Sequence, residues 1–168
     1  FYVRHTAPGG NVRRGVVFVR ELVPRAAIAY TARLVYNEPY LALPMRSTAP
    51  AAPSDAPGRV AYEWRMNSRW SGVLATAAGA PAIPSPASEA TFITEHYWGY
   101  TRQRDGGTVE YEVAHPPWRV WRGDAPALSA DVPRLYGSSF AVPLANPPTS
   151  SYIAEGSEVT VFRPRRIA

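Results

Sequence analysis

The sequence predicts a mainly β (α+β) protein with one or two short helices, folded as an antiparallel barrel or a strongly coiled sheet. Three turn signals, PGGN, NS and DGG, lie between segments rich in β-branched and aromatic residues, and no internal repeat is visible. Alternation of apolar and polar residues with a period of two indicates half-buried strands. Several hairpins in succession are typical of barrels and coiled sheets.

The first quarter of the chain predicts a hairpin followed by a helix. FYVR and RGVVFVREL are rich in strand-forming residues, and the glycines of PGGN supply a turn, so residues 1–22 form the predicted hairpin. An alanine-rich run with apolar residues at helical spacing begins at Pro24 and predicts a helix over residues 24–36. Pro39 follows that helix, and YLALPM then predicts a short strand.

The middle of the chain predicts an exposed loop and a second hairpin. Residues 46–58 are rich in proline, alanine and serine, which is typical of a loop. The segment after this loop turns near Asn67-Ser68, and its first strand alternates apolar and polar residues. One face of that strand holds Val60, Tyr62, Trp64 and Met66, and the other face holds Glu63 and Arg65.

The remaining elements are a capped helix, a third hairpin and a strand-rich tail. Ser88 is suited to cap a short helix over residues 90–95. In the tail we expect a short strand near Phe140 and a last strand in SEVTVFRPRRI. Neither side of the loop at 46–58 is long enough to fold separately, so residues 1–168 form one predicted domain.

Composition excludes several kinds of chemistry. The chain has no cysteine, which excludes disulfides and thiolate sites, and all 18 basic residues are arginine, which excludes a lysine Schiff base. The net charge of +5 is spread along the chain, so we expect no nucleic-acid partner. No apolar run is long enough to cross a bilayer, so we expect no membrane partner. The absence of cysteine fits a cytoplasmic location.

The third hairpin turns at Asp105-Gly106-Gly107, and its register determines which side chains face inward. A two-residue turn at either Asp105-Gly106 or Gly106-Gly107 gives the same partition of faces. The predicted interior face holds His96, Trp98, Tyr100, Arg102, Val109, Tyr111, Val113 and His115. The predicted water-facing set holds Tyr97, Gly99, Thr101, Gln103, Thr108, Glu110, Glu112 and Ala114.

Two interpretations of the interior face stay open. In one, Arg102 reaches solvent near the turn and each histidine bonds a backbone carbonyl at a strand end. In the other, the face lines a cavity that binds a ligand, with Glu95 as the candidate catalytic base. The candidate ligand-binding residues are Tyr62, Arg65, His96, Trp98, Tyr100, Arg102, Tyr111 and His115. Because it points away from Trp64, Arg65 is the weakest member of this set.

Other kinds of site find less support. His96 and His115 would share a metal ion with Glu95 in one of the two registers, but two satisfied histidines are the simpler interpretation, so no metal site is predicted. No G-x-S-x-G turn and no phosphate-loop spacing is present. We expect no cofactor.

The motif HPPW follows the last strand of this hairpin. Pro116 and Pro117 cannot donate ladder hydrogen bonds, so pairing ends there, and Trp118 is expected to pack below the sheet.

The order GVVFVREL, an alanine-rich helix, YNEPYLALPM, YEWRM and ITEHYWGYTRQRDGGTVEYEVAHPPW resembles a bacterial family of uncharacterised proteins called YqjF-like. The pattern that carries the resemblance comprises Thr94, Glu95, Tyr97, Tyr100, Gly107, Tyr111, Val113, His115, Pro116, Pro117 and Trp118.

The resemblance implies an acetoacetate decarboxylase-like fold, a cone-shaped antiparallel β-barrel around an apolar cavity. Members of that family usually have some tens of residues before the segment that matches Phe1, so we expect either that the chain lacks an N-terminal segment or that its barrel is closed differently. Acetoacetate decarboxylase works through a lysine, and this chain has none, so that activity is not carried over. We expect the cavity to bind a small, partly apolar organic acid or ketone. The alternative is a filled barrel that acts as a scaffold and forms a homodimer through an exposed sheet edge.

Overall fold

The computed structural model describes residues 1–49 and 58–167, and the described chain is mainly β. Thirteen strands form one six-stranded sheet, one five-stranded sheet and one two-stranded sheet. The strands are β1 (Tyr2–Thr6), β2 (Val12–Val16), β3 (Glu21–Val23), β4 (Tyr40–Ala42), β5 (Met45–Thr48), β6 (Arg59–Met66), β7 (Arg69–Ala82), β8 (Trp98–Arg102), β9 (Thr108–Ala114), β10 (Val120–Ser129), β11 (Tyr152–Ala154), β12 (Thr160–Val161) and β13 (Arg165–Arg166).

The six-stranded sheet joins the two ends of the chain. Its order is β1-β2-β8-β9-β12, and β13 also pairs with β9. Strands β1 and β2 form the predicted first hairpin, although it ends at Val16 because β3 pairs in parallel with β4 in a separate sheet. Strand β2 meets β8 in parallel at Val16 and Gly99. Side chains from widely separated parts of the sequence therefore lie side by side on this sheet.

The five-stranded sheet is built around the second predicted hairpin. Its order is β11-β10-β7-β6-β5, with antiparallel pairing throughout. Asn67 and Ser68 both have positive φ, 49° and 64°, as a two-residue hairpin turn requires, so the predicted turn is confirmed. The β7–β10 pairing has two register shifts, and Ala125 beside one of them has φ 48°. Bulges of this kind bend a sheet, and the two larger sheets curl into an open half-barrel.

The helices are short, and most lie where the sequence predicted them. Helix α1 (Ala26–Thr31) continues into a π-helical turn over Ala32–Tyr36, as expected for residues 24–36. Helix α2 (Glu89–Thr94) is capped by Ser88, whose hydroxyl accepts a hydrogen bond from Thr91 N at 3.2 Å. The predicted strand near Phe140 is wrong, because helices α3 (Val132–Tyr136) and α4 (Ala141–Ala145) flank that position. Pro143 has no N–H for a strand ladder, but a first helical turn accommodates it.

Two further predictions need correction. The last strand is divided into β12 and β13, which flank Pro164, a residue that cannot donate a ladder hydrogen bond. Part of the predicted loop at 46–58 is instead strand β5, which pairs with β6. Residues 50–57 of that loop lie outside the described residues. Within the described chain, no helix has the length and apolar character needed to span a bilayer.

Candidate functional site

The turn of the β8–β9 hairpin contains three residues, Arg104 to Gly106. Gln103 N donates to Gly107 O at 2.7 Å, and Gly106 adopts φ 88°, a left-handed conformation that favours glycine. Asp105 Oδ1 accepts from Gly107 N at 3.1 Å and supports this turn. The predicted two-residue turn is therefore wrong, and the register shifts by one residue.

The shift reverses the faces of one strand relative to the other. Tyr100 lies opposite Glu110, and Gly99 lies opposite Tyr111, so Tyr100 and Tyr111 point to opposite sides of the sheet. Glu110 is only 1% exposed, and Thr101 is also buried, although both were predicted to face water. The predicted interior face therefore does not exist as a unit, and each side of the hairpin carries its own polar cluster.

The first polar cluster surrounds the carboxylate of Glu110. Arg13 Nη1 donates to Glu110 Oε1 at 2.6 Å, and Arg165 Nε donates to the same oxygen at 2.5 Å. Burial alone would raise the pKa of Glu110, but the hydrogen bonds from the two guanidinium groups lower it below its usual value. Glu110 is therefore a buried, ionised carboxylate held by two arginines.

Two aromatic side chains and a histidine complete this first cluster. The guanidinium carbon of Arg13 lies 4.0 Å from the centre of the Trp98 ring, and His5 lies opposite Arg13 in the β1–β2 ladder. The rings of His5 and Tyr100 are 5.7 Å apart. Burial and the charge of Glu110 raise the pKa of Tyr100, so its hydroxyl is neutral.

The second polar cluster surrounds Glu38, which precedes β4 and is 4% exposed. Its Oε1 accepts hydrogen bonds from Thr101 Oγ1 and from the Tyr111 hydroxyl, the latter at 2.7 Å. A Cβ atom on Gly99 would overlap the Tyr111 ring, so only glycine at that position lets the ring cross the strand to reach Glu38. Tyr111, a predicted ligand-binding residue, therefore contacts a carboxylate of its own chain.

A second carboxylate lies near Glu38. Burial raises the pKa of Glu38 although Thr101 and Tyr111 donate hydrogen bonds to it, and burial together with the charge of Glu38 raises the pKa of Glu21. Burial and these two carboxylates also raise the pKa of Tyr40 and of Tyr111. The cluster therefore favours protonated forms of all four groups.

A groove of about 1270 Å³ runs along the five-stranded sheet. One wall is the face of β6, β7 and β10, and the other is formed by residues 143–157. Tyr62 lies in this groove, opposite Val73 in the β6–β7 ladder. The Tyr152 hydroxyl donates to Glu89 Oε2 at 3.0 Å, which holds that ring in the wall. Of the eight predicted ligand-binding residues, only Tyr62 lies here.

The two predicted histidines lie in separate aromatic stacks. His96 stacks on Tyr2 with ring centres 4.6 Å apart, and burial lowers its pKa. His115 stacks on Trp118 at 3.9 Å, and its Nδ1 is 2.9 Å from the carbonyl oxygen of Pro116. Trp118 therefore packs on the end of the hairpin rather than below the sheet. The position of His115 matches the interpretation in which a histidine bonds a carbonyl at a strand end.

The remaining predicted residues are on the surface or at a helix end. Arg65 is exposed near the Trp70 ring, and Arg102 is exposed at the end of β8. Glu95 accepts a hydrogen bond from the Tyr97 hydroxyl, which raises the pKa of Tyr97 to about 12. Within residues 1–49 and 58–167, no group of three or more histidine and acidic side chains is placed to hold a metal ion.

Sequence reasoning missed the residues that organise both clusters. Glu110 would have been found with the correct turn, because a three-residue loop with glycine at its last position is a common hairpin connection. Glu21, Glu38, Arg13 and Arg165 have no local signal, since their partners lie far away along the chain. Residues 143–157, which form one wall of the groove, likewise show no periodic pattern of apolar residues that would predict their position.

A comparison with known proteins places the chain in a family. A family model described as an uncharacterized conserved protein, DUF2071, matches residues 1–158. Searches of curated proteins and of solved structures gave no match. The family match confirms the resemblance to YqjF-like proteins at the level of the family. The chain therefore belongs to the DUF2071 family of uncharacterized conserved proteins.

Proposed function

We propose that this protein binds a small, partly apolar organic molecule with a carbonyl group in the groove along the five-stranded sheet. The observation that carries the proposal is the groove itself, a concavity of about 1270 Å³. Pockets for small molecules are commonly 300–1,000 Å³, mostly apolar, with a few converging polar groups. A ligand of modest size would fill part of this groove.

The lining of the groove fits such a ligand. Trp121, Leu144 and Ile153 supply apolar surface, and Tyr62 supplies a phenolic hydroxyl, whereas the hydroxyl of Tyr152 donates to Glu89. Binding of an apolar ligand to an apolar wall is favourable because both surfaces are removed from water, and a phenolic hydroxyl can donate a hydrogen bond to a carbonyl oxygen. The groove therefore offers both contacts that a small ketone needs.

The charges favour a ketone over an organic acid. The described residues that line the groove include no arginine and no histidine, and the carboxylate of Glu155 is already paired with Arg119. An anionic ligand would lose its hydration without gaining an opposite charge, which is unfavourable in an apolar site. The chain has no lysine, so any carbonyl compound would be held without a Schiff base.

The acetoacetate decarboxylase-like architecture is part of this proposal. Two curled, mainly antiparallel sheets that leave an apolar concavity between strands and loops are consistent with a cone-shaped barrel. The alternative is a scaffold that binds no small molecule and forms a homodimer through a sheet edge. The two alternatives differ in what the groove does in solution.

A thermal-shift screen with short ketones and the corresponding carboxylic acids tests the proposal. A ketone at 100 times its dissociation constant should stabilise the protein by about 2.7 kcal/mol, and the acids should have little effect. Val73→Trp places an indole in the groove and should abolish the ketone shift. Val161→Trp is the matched control, because Val73 and Val161 are similarly exposed, at 45% and 48%, but Val161 lies on the other large sheet.

Two results would refute the proposal. One is the absence of any shift across the whole panel, which together with a dimer in analytical ultracentrifugation would favour the scaffold. The other is a shift that Val73→Trp and Val161→Trp leave equally intact, because the ligand would then bind outside the groove.

A further inference from the structure

The floor of the groove begins with a row of apolar side chains that crosses three strands of the five-stranded sheet. Tyr62 lies opposite Val73 in the β6–β7 ladder, and Val73 lies opposite Leu128 in the β7–β10 ladder. Side chains directly opposite each other share a face of the sheet, so these three form one outer row. They line the groove and are 49%, 45% and 39% exposed. The outer row is therefore apolar surface that water reaches.

The floor continues from the outer row toward a buried end. Val60 and Ala75 lie opposite each other on the same face, two residues along β6 and β7 from the outer row, and both are buried. Trp121 is also buried and lies opposite Ile153 in the β10–β11 ladder. All four line the groove. From Leu128 to Trp121 along β10 the floor is roughly 20 Å long, since a strand rises about 3.3 Å per residue.

The size of the groove exceeds what a short ketone needs. Small-molecule pockets are commonly about 300–1,000 Å³ and enclose most of the surface of their ligand. This groove has about 1270 Å³, so a short ketone bound at Tyr62 would leave its inner part unfilled. A ligand that extends along the floor removes more apolar surface from water, and each further buried methylene group strengthens binding. The geometry therefore favours an elongated ligand.

The polar groups of the groove determine which end of such a ligand is polar. The outer row carries the phenolic hydroxyl of Tyr62, at the part of the floor that water reaches. At the other end, the carboxylate of Glu155 is paired with Arg119, whose guanidinium carbon lies 6.0 Å from the centre of the Trp121 ring. The described lining offers no arginine and no histidine for a charged head group. A neutral polar head therefore fits at Tyr62, with an apolar tail toward Trp121.

We propose that the ligand of the groove is a medium-chain methyl ketone, with its carbonyl oxygen at the Tyr62 hydroxyl and its alkyl chain along the floor toward Trp121. This inference rests on the proposed function and specifies its substrate class. The ion pair of Arg119 and Glu155 lies at the Trp121 end, so it limits the length of chain that the groove accepts.

Titration calorimetry of wild type with 2-butanone, 2-hexanone and 2-nonanone tests the inference. Affinity should rise about two- to fourfold for each added methylene group, so 2-nonanone should bind at least about 30-fold more tightly than 2-butanone. Nonanoate has the same number of carbon atoms but a charged head, and it should bind at least about tenfold more weakly than 2-nonanone. This series needs no variant, so it does not depend on the folding of one.

A matched pair of substitutions tests the direction of the chain. Ile153→Ala and Leu128→Ala remove comparable apolar side chains from opposite ends of the floor. Ile153→Ala should weaken 2-nonanone about fivefold and leave 2-butanone unchanged, because only the longer chain reaches the Trp121 end. Leu128→Ala should weaken both ketones by the same factor. Thermal unfolding of each variant checks that it folds.

The possible outcomes separate this inference from the proposed function. Equal affinities across the ketone series, with Val73→Trp still abolishing binding, would overturn the inference and leave the proposed function standing. A gain with chain length that Val73→Trp leaves intact would overturn both, because the ketones would then bind outside the groove. Loss of the chain-length gain in Leu128→Ala but not in Ile153→Ala would overturn the assigned direction of the chain.

Discussion

The two faces of the β8–β9 hairpin each cover one buried carboxyl group, and the pKa values of these two groups are shifted in opposite directions. Glu110 on one face is paired with Arg13 and Arg165, and its pKa is lowered. Glu38, packed on the other face, accepts hydrogen bonds from Thr101 and Tyr111, and its pKa is raised. Their exposures are almost the same, 1% and 4%.

The difference shows that burial alone does not decide whether a carboxyl group is charged. Desolvation disfavours the ionised form at both positions. At Glu110 two guanidinium groups outweigh that penalty, whereas at Glu38 two neutral hydroxyls do not. The two faces of one hairpin thereby shift the pKa values of two buried carboxyl groups in opposite directions.

The largest effect should follow removal of the charge of Glu110. Glu110→Gln leaves Arg13 and Arg165 near a neutral amide, and breaking a buried ion pair by removing one partner costs about 3 kcal/mol of unfolding free energy when one partner is partly exposed. Urea denaturation at neutral pH measures this change. The stabilisation is full above the unfolded-state pKa and is lost as pH falls through the lowered folded-state pKa, so the deficit should shrink in acid.

Glu112→Gln is the control for that measurement, because Glu112 lies two residues along the same strand and is exposed. It should change the unfolding free energy little. Equal effects of the two substitutions would contradict the assigned role of Glu110.

A smaller effect should follow Gly99→Ala on the other face. The added methyl group would overlap the Tyr111 ring, and overpacking of this kind costs about 2 kcal/mol. The same substitution in a Tyr111→Ala background should cost much less, because the colliding ring is gone. Additive effects of the two substitutions in a double-mutant cycle would show that Gly99 is required for another reason.

Sequence reasoning predicted the local elements well and the long-range pairings poorly. The turn at Asn67-Ser68, the cap at Ser88 and the helix over 24–36 depend on neighbours within a few residues, and the structure confirms them. The predicted assignment of side chains to the two faces of the β8–β9 hairpin depends on whether the turn contains two residues or three. The three-residue turn shifts the register by one residue and therefore places Glu110, rather than Tyr111, on the same face of the sheet as Tyr100.

The candidate sites depend on contacts that no local pattern contains. Glu110 binds Arg13 across 97 residues, and Glu38 binds Tyr111 across 73 residues. The sequence indicated correctly that Tyr100 and Tyr111 are buried, because aromatic residues in strands favour the interior. It did not indicate that they belong to different clusters, since that depends on the register that the three-residue turn imposes on β8 and β9.

The pH dependence of stability should separate the two faces most directly. The folded state holds the proton of Glu38 at pH values where the unfolded chain, with a pKa of about 4.3, has lost it. That contribution is full below the unfolded-state pKa and is lost as pH rises through the raised folded-state pKa. Glu38→Gln, which is neutral at every pH and keeps an acceptor for Thr101 and Tyr111, should therefore gain stability relative to wild type as pH rises.

Urea unfolding of wild type, Glu38→Gln and Glu110→Gln from about pH 2 to pH 8 measures both effects in one series, because the Glu110 contribution changes below the unfolded-state pKa of about 4.3 and the Glu38 contribution changes above it. The difference between Glu38→Gln and wild type should move in favour of the variant with rising pH, and the difference for Glu110→Gln should move against it. The charge of Glu38 is also one cause of the raised pKa of Glu21, so removing it should bring the pKa of Glu21 closer to its usual value. Parallel pH profiles for the two variants would mean that the two carboxylates share one electrostatic environment.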